Sequence, residues 1–402
     1  MSVISLISAS FCHGNEITAA CERGGFAAVK SENLIAQAAK SSGIGEGKFQ
    51  NTLTGKTGIF NRFTHERERA IAHLRLALAE ILAEDRLILT GPMVFLIPER
   101  ISHVLRVCLV AENRWRLTEA ERRGEKNAAA VIQDSDRQLT DWLASLNLGA
   151  DPWSAPLYDV VVPMDKTSPE DAAALILAKA ANEAVTRTEA ASSALADFRL
   201  AAKVEARLAQ EGHNVGVDAY QGAVALTINK NVLMLSRLEE ELRAIVESLE
   251  GVKSVSTQVG KNFHQADIYR KYDFEMPSKV LLVDDERDFV QTLSERLIMR
   301  DMGSAVAYDG ESALNMIRDE EPEVMILDLK MPGIDGIEVL KQVKSGNPDI
   351  EVIVLTGHGT EKDKDLCMQL GAFAFLNKPV DIQLLSQTLV AANQKAQAKK
   401  QR

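Results

Sequence analysis

The sequence predicts an α/β chain built from three successive units, and three observations carry that reading. Residues 1–180 alternate short apolar runs with long amphipathic segments, the order of a mainly parallel sheet covered by helices. Residues 197–260 show period-two alternation, with Val215, Val217 and Ala219 and then Val224, Leu226 and Ile228 on either side of Gln221-Gly222. From Lys279 onward a strand-then-helix pattern repeats five times. A chain of 402 residues is longer than one hydrophobic core usually serves. Its 46% hydrophobic and 26% charged content is globular rather than disordered. The net charge of −11 argues against nucleic acid or an anionic membrane as a bulk partner. The four cysteines, Cys12, Cys21, Cys108 and Cys367, form no C-x-x-C pair and read as buried reduced thiols. No apolar run reaches the roughly 20 residues a bilayer needs. The nearest, 70–83, is broken by His73, Arg75 and Glu80, and no basic region opens the N-terminus. A soluble, cytoplasmic protein is expected.

In chain order, the strands of the first domain are expected at 3–8, 26–29, 86–90, 103–110 and 158–162. Residues 170–212 are rich in Ala, Glu, Lys and Arg, a helical composition. They hold the last helix of the first domain, a helical connector at 181–196 and the first helix of the middle module. That module spans 197–260 as helix 197–210, strand 215–219, strand 223–228, helix 233–249 and strand 252–259. Lys261, Asn262, His264 and Gln265 mark a polar linker over 261–277 that ends at Pro277. The last domain, 278–393, places strands at 279–283, 304–307, 324–327, 351–355 and 373–376, with a final helix from near Asp381. Lys395, Lys399, Lys400 and Arg402 read as a solvated, frayed basic tail over 394–402.

The chemistry concentrates in the last domain. Its first strand runs into Asp284, Asp285 and Glu286, and its third into Asp328. Parallel strands of an open α/β sheet present functional groups at their carboxyl ends, so both acidic sites fall on one rim. Carboxylates so crowded repel each other, and a hard cation such as Mg²⁺ relieves that conflict. The ends of the fourth and fifth strands add Thr356 and Lys378, a hydroxyl and an ammonium suited to phosphoryl oxygens.

Four runs carry a likeness: Val283-Asp-Asp-Glu286, Ile326-Leu-Asp-Leu-Lys-Met-Pro-Gly333, Val354-Leu-Thr-Gly-His-Gly359 and Asn377-Lys-Pro379. On these, residues 278–393 resemble response-regulator receiver domains, which implies a (βα)5 flavodoxin-like fold. The resemblance implies Asp328 as phosphoacceptor and a metal site of Asp284, Asp285, Asp328 and the Lys330 carbonyl. It also implies Thr356 and Phe375 as a switch pair, Lys378 as a contact to the acyl phosphate, and a cis Lys378–Pro379 bond.

In the first domain, strand 3–8 is followed by Ala9-Ser-Phe-Cys-His-Gly-Asn-Glu-Ile17 and a helix, the geometry of a phosphate cradle. Thr90-Gly-Pro92, Glu112-Asn-Arg-Trp-Arg116, Arg122-Arg123 and Asp134-Ser-Asp-Arg137 follow in order. With them, residues 1–180 resemble the cytidylate kinase-like family of P-loop proteins. The likeness implies a P-loop-like fold, with Gly14 in the phosphate loop and Arg114, Arg116, Arg122, Arg123 and Arg137 as a lid over nucleotide phosphates. The loop departs from the family pattern: only Gly14 is a glycine, Cys12 and His13 stand beside it, and no lysine precedes Lys30. A domain that keeps the fold without turnover is therefore expected, with His13 an exposed loop histidine. Residues 197–260 resemble a BON-like module through Val215, Gly222, Val224, Leu226, Gly251, Val252 and Val255. A spacer or homodimer-forming role is the plainer reading of it.

Together these readings imply a response regulator phosphorylated on Asp328 by a sensor histidine kinase. No helix-turn-helix pattern precedes the receiver, so DNA is not an expected partner. The alternative is a nucleotide kinase gated by the receiver, with nucleotide bound at the first domain.

Overall fold

A computed structural model describes every residue except 1, 56, 233, 262, 264–270, 273–275, 358, 401 and 402. Leu233, Asn262, His264, Gln265, His358 and Arg402, named above, therefore lie outside the described residues. The chain divides into two compact units. One is Met1–Thr57 with Arg67–Tyr269, and the other is Gly58–Glu66 with Arg270–Arg402.

The elements before the first domain's third strand are β1 (Val3–Ser8), α1 (Gly14–Arg23), β2 (Ala27–Val29), α2 (Ser31–Ser42), α3 (Glu46–Leu53), α4 (Asn61–Thr64) and α5 (Glu66–Ile81). Then come β3 (Leu87–Thr90), β4 (Val104–Val110), α6 (Asn113–Arg122), α7 (Ala128–Ser145), β5 (Val160–Pro163) and α8 (Pro169–Ala180). The five strands form one parallel sheet in the order β2-β3-β1-β4-β5. Central β1 is apolar on both faces, as a doubly covered parallel strand must be. Val3 and Ile7 enter one core cluster, and Ile4 and Leu6 enter the other.

The middle module follows as α9 (Glu189–Gln210), β6 (Gly216–Tyr220), β7 (Ala223–Ile228), α10 (Leu235–Glu247) and β8 (Ser254–Val259). β6 pairs antiparallel and β8 parallel with β7, which gives the expected αββαβ order. Gln221 and Gly222 both have positive φ, 50° and 90°, as a two-residue hairpin turn requires.

The helical connector expected at 181–196 is not a separate piece. Only Glu183–Val185 forms a short 3₁₀ turn, and α9 starts at Glu189 and runs across the expected boundary at 197. Thr188 caps it by accepting from the Ala191 N–H, and no breaker follows before Gly212. The helix serves two cores: Leu195, Phe198 and Ala202 pack under the first sheet, and Ala201, Val204 and Leu208 under the second.

The second unit contains β9 (Val280–Val283), α11 (Arg287–Ile298), β10 (Ser304–Ala307), α12 (Gly310–Asp319), β11 (Val324–Leu327) and α13 (Gly336–Gly346). β12 (Glu351–Thr356), α14 (Glu361–Gln369), β13 (Ala374–Asn377) and α15 (Ile382–Lys400) complete it. Its sheet is parallel throughout, in the order β10-β9-β11-β12-β13. Asp309, Asp335 and Thr360 cap α12, α13 and α14 with their side chains, and each helix starts where its cap falls.

Two expectations change here. The tail expected at 394–402 is helical as far as Lys400, because α15 continues through it. Ala396 is fully buried, and Lys395 and Lys399 lie 3.1 Å and 2.7 Å from the buried carboxylate of Glu351. A buried carboxylate needs such partners, and this one holds the helix end down. Residues 58–66, read as part of a continuous first domain, are counted with the second unit instead. No described helix is long and apolar enough to cross a membrane.

Phe198 is fully buried on the helix that both sheets share. Phe198→Ala is expected to cost about 3–5 kcal/mol, read as a lowered urea midpoint of the full-length chain.

Candidate functional site

The carboxyl ends of β9, β11, β12 and β13 share one rim. Register places Val283 beside Leu327, Leu327 beside Val354, and Thr356 beside Asn377. The residues after β9, β11 and β13, namely Asp284, Asp328 and Lys378, meet there, and β12 ends alongside at Thr356. Asp284, Asp285 and Asp328 each bring a carboxylate oxygen there, all within 4.8 Å of one another. Asp284 and Asp328 are buried, whereas Asp285 is exposed.

Lys378 answers this charge. Its Nζ stands 2.6 Å from Asp284, 3.3 Å from Asp328 and 3.1 Å from Glu286. It also sits 4.5 Å from the centre of the Phe289 ring. Burial works against the Lys378 ammonium, but hydrogen bonds to Asp284 and Glu286 outweigh it and raise its pKa. Burial raises the pKa of Asp284 despite the hydrogen bond from Lys378, and the charge of Asp328 pushes the same way. The Asp328 carboxylate is held by the Leu329 N–H at 2.7 Å as well as by Lys378. Its backbone is held too, with the Asp328 N–H donating to the Val283 carbonyl at 2.9 Å.

Thr356 ends β12 fully buried. Lys330 is exposed two residues beyond Asp328. Phe375 is half-buried, and a Cβ on Gly359 would meet both its ring and the Thr356 methyl. Thr356 and Phe375 thus border one gap that only a glycine leaves open. The Lys378–Pro379 bond is cis. Sequence reasoning missed Phe289 and Glu286 as partners of Lys378. The signal was their place in and just before the first turn of α11, directly after the acidic pair. It also missed Gly336, whose missing side chain lets α13 press on the backbone of Asp328. A Cβ there would meet the Asp328 carbonyl and lie 2.7 Å from the Leu329 Cα.

The three carboxylates make a set of hard oxygen donors that fits a Mg²⁺ ion. The same carboxylate–lysine arrangement can present an aspartate oxygen as a nucleophile while neutralising an incoming phosphoryl group.

The loop after β1, expected to cradle phosphate, is built differently. After β1 the chain turns tightly, with the Cys12 N–H donating to the Ala9 carbonyl at 3.1 Å. Phe11 and His13 hold left-handed backbone, φ 69° and 56°, where a glycine is the natural occupant. His13 is not the exposed loop residue expected. Its side chain is 12% exposed and lies 3.1 Å from Glu16 and 3.7 Å from Glu119. Burial pushes the Cys12 thiol up to about 12, so it is no nucleophile at neutral pH. Gly14 opens α1, and a Cβ on it would meet the Ser8 side chain at 2.8 Å.

The arginines named as a lid lie on α6 and α7 or directly after α6, and most already hold an acid. Arg116 is buried and bidentate to Asp136 at 2.8 Å for each bond. Arg122 and Arg123 both grip Glu119 at 2.7 Å, and Arg137 holds Asp134 at 2.6 Å. Arg122 first, then Arg123, outweigh the burial of Glu119 and hold its carboxyl down to about 2. Arg114 is exposed.

Residues 280–390 match the family model of the response regulator receiver domain. Among solved structures, the chain is similar to the signal receiver domain of a putative Luxo repressor protein from Vibrio parahaemolyticus. The identity is 26% over 31% of this chain and 95% of that one, with a TM-score of 0.30. A response regulator receiver domain protein from Clostridium thermocellum is 32% identical over 30% of this chain and 97% of its own, with a TM-score of 0.29. The receiver domain of NtrX from Brucella abortus is 29% identical over 29% of this chain and 98% of its own, with a TM-score of 0.28. The C-terminal part of the chain is a receiver domain.

Gly336→Ala is expected to drive a methyl group into the Asp328 backbone and cost about 1–3 kcal/mol. Chemical denaturation of the variant checks it; wild-type stability would mean that α13 does not press on Asp328.

Proposed function

We propose that this chain is a two-component response regulator whose Asp328 takes a phosphoryl group from a histidine kinase in the cytoplasm. One observation carries the reading: Asp284, Asp285 and Asp328 converge within 4.8 Å beside Lys378. The Leu329 N–H and Lys378 hold and orient the Asp328 carboxylate before the donor arrives. An Asp328 oxygen then attacks phosphorus, the bond to the donor breaks, and an acyl phosphate remains. Lys378 neutralises its oxygens, and Thr356 donates a hydrogen bond to one of them. Asp284, Asp285, Asp328 and the Lys330 carbonyl are the assigned Mg²⁺ ligands. When bound, the ion offsets negative charge on the transferring group. Phe375 follows Thr356 across the gap at Gly359.

The first unit, in this reading, is a cytidylate kinase-like domain that binds a partner rather than turning over nucleotide, and the middle module is BON-like. Two observations support that choice over a receiver-gated kinase. Arg116, Arg122, Arg123 and Arg137 are neutralised within the protein. Cys12 and His13 also crowd a loop whose amides would have to approach phosphate.

With acetyl phosphate and Mg²⁺, the intact mass of the chain should gain one phosphoryl group, and Asp328→Asn should lose it. Labelling of Asp328→Asn at the wild-type level would refute the assignment. For the first unit, a coupled assay of nucleoside monophosphate phosphorylation should show no turnover above background. It belongs on the full-length chain, because truncation at 180 removes Leu195, Phe198 and Ala202 from the first core. Robust turnover lost on replacing Gly14 would favour the gated kinase instead.

A further inference from the structure

Residues 58–66 form a strap that packs as part of the receiver unit, although they interrupt the sequence of the first unit. The chain leaves the first unit after Thr57 and re-enters it at Arg67, one residue into α5. Nothing in the chemistry at Asp328 uses the strap, yet the receiver surface is shaped for it. Phe60 is fully buried in the cluster that holds Leu281, Val283 and Ile317. Its N–H donates to the Glu320 carboxylate at 3.2 Å. A Cβ on Gly58 would meet that same carboxylate, and one on Gly303 would meet Phe63 at 2.7 Å from its Cβ. Both sides of the contact therefore carry a glycine where the other side needs room.

The strap ends in a charge cluster. Lys279 Nζ lies 2.8 Å from Glu66 and 2.7 Å from Glu320, and its side chain is 8% exposed. Burial works against that ammonium, but the two carboxylates outweigh it and keep it charged. One partner, Glu320, follows the end of α12 and the other comes from the strap, so undocking would leave a buried lysine with half of its compensation.

Phe60 also shares its cluster with Leu329 and Met331, just beyond Asp328, and half-buried Phe375 packs against the same cluster. A packed core repacks between discrete arrangements rather than deforming smoothly. A change at the acceptor loop must be accommodated within that cluster. The member most easily expelled is the one on a nine-residue strap with one short four-residue helix.

We propose that residues 58–66 are the receiver's internal docking ligand and its output element, seated in the unphosphorylated chain and released when Asp328 is phosphorylated. This rests on the reading of Asp328 given above. Because Glu66 opens α5, release frees the N-terminal end of a helix whose Ala70, Leu74 and Leu78 lie in the first unit's core.

Hydrogen exchange of the full-length chain, read by mass spectrometry, tests it. With acetyl phosphate and Mg²⁺, amide exchange over 58–66 should rise about tenfold or more. Phe60→Ala should show fast exchange there without any donor, and Glu66→Gln should show it to a lesser degree. Should Phe60→Ala fail to fold, Glu66→Gln carries that arm. Unchanged or slower exchange over 58–66 in a chain whose mass confirms the phosphoryl group would overturn the strap as output and leave the acceptor intact. Wild-type exchange in both variants would overturn the docking itself. A chain that takes no label would overturn the reading of Asp328, and the coupling with it.

Discussion

Like charges forced into one crevice set the terms for the second unit. Asp284, Asp285 and Asp328 sit within 4.8 Å of one another, and two of the three are buried. Such a cluster persists only where the fold supplies compensation. The parallel sheet does this by ending neighbouring strands together, so that Lys378 from β13's rim reaches acids at the ends of β9 and β11. Phe289 offers the lysine the face of its ring, and α13 closes on the Asp328 backbone through the missing side chain of Gly336. Glycine, aromatic and lysine are thus consequences of one electrostatic demand.

This part of the chain was legible because its signals are local. β9 and β11 are short runs of Val, Leu, Ile and Met, and Asp284, Asp285, Asp328 and Lys378 follow their strands within one or two positions. β10 and β11 lie where the apolar runs put them, and the other strand edges of this unit move by only one residue. Asp309, Asp335 and Thr360 cap their helices with their own side chains, which is local chemistry as well.

What the sequence hid depends on partners far along the chain. Lys395 and Lys399 look like a solvated tail until Glu351, buried at the start of β12, is seen to need them. Phe60 looks like an ordinary apolar residue in a first domain, and its burial beside Leu281 leaves no mark within its own window. The lid arginines read as phosphate ligands because composition cannot tell an arginine awaiting an anion from one already bound. Asp136, Glu119 and Asp134 decide that question, and only Asp134 and Asp136 fall in the same motif as one of the arginines.

Helix α9 carries a consequence for how the first unit comes apart. One face closes the core under the parallel sheet, and the residues next to it close the core under the three-stranded sheet. Two sheets that share a structural wall share its fate. Fraying of α9 uncovers both at once, so the small module is no bead on a string that recombination could lift out and replace. In the language of cooperative folding, the two sheets belong to one foldon whose seam runs through Ala201 and Ala202. A graft that respects the module boundary at 197 would cut that helix in two, whereas one that carries the helix from its Thr188 cap would move it whole.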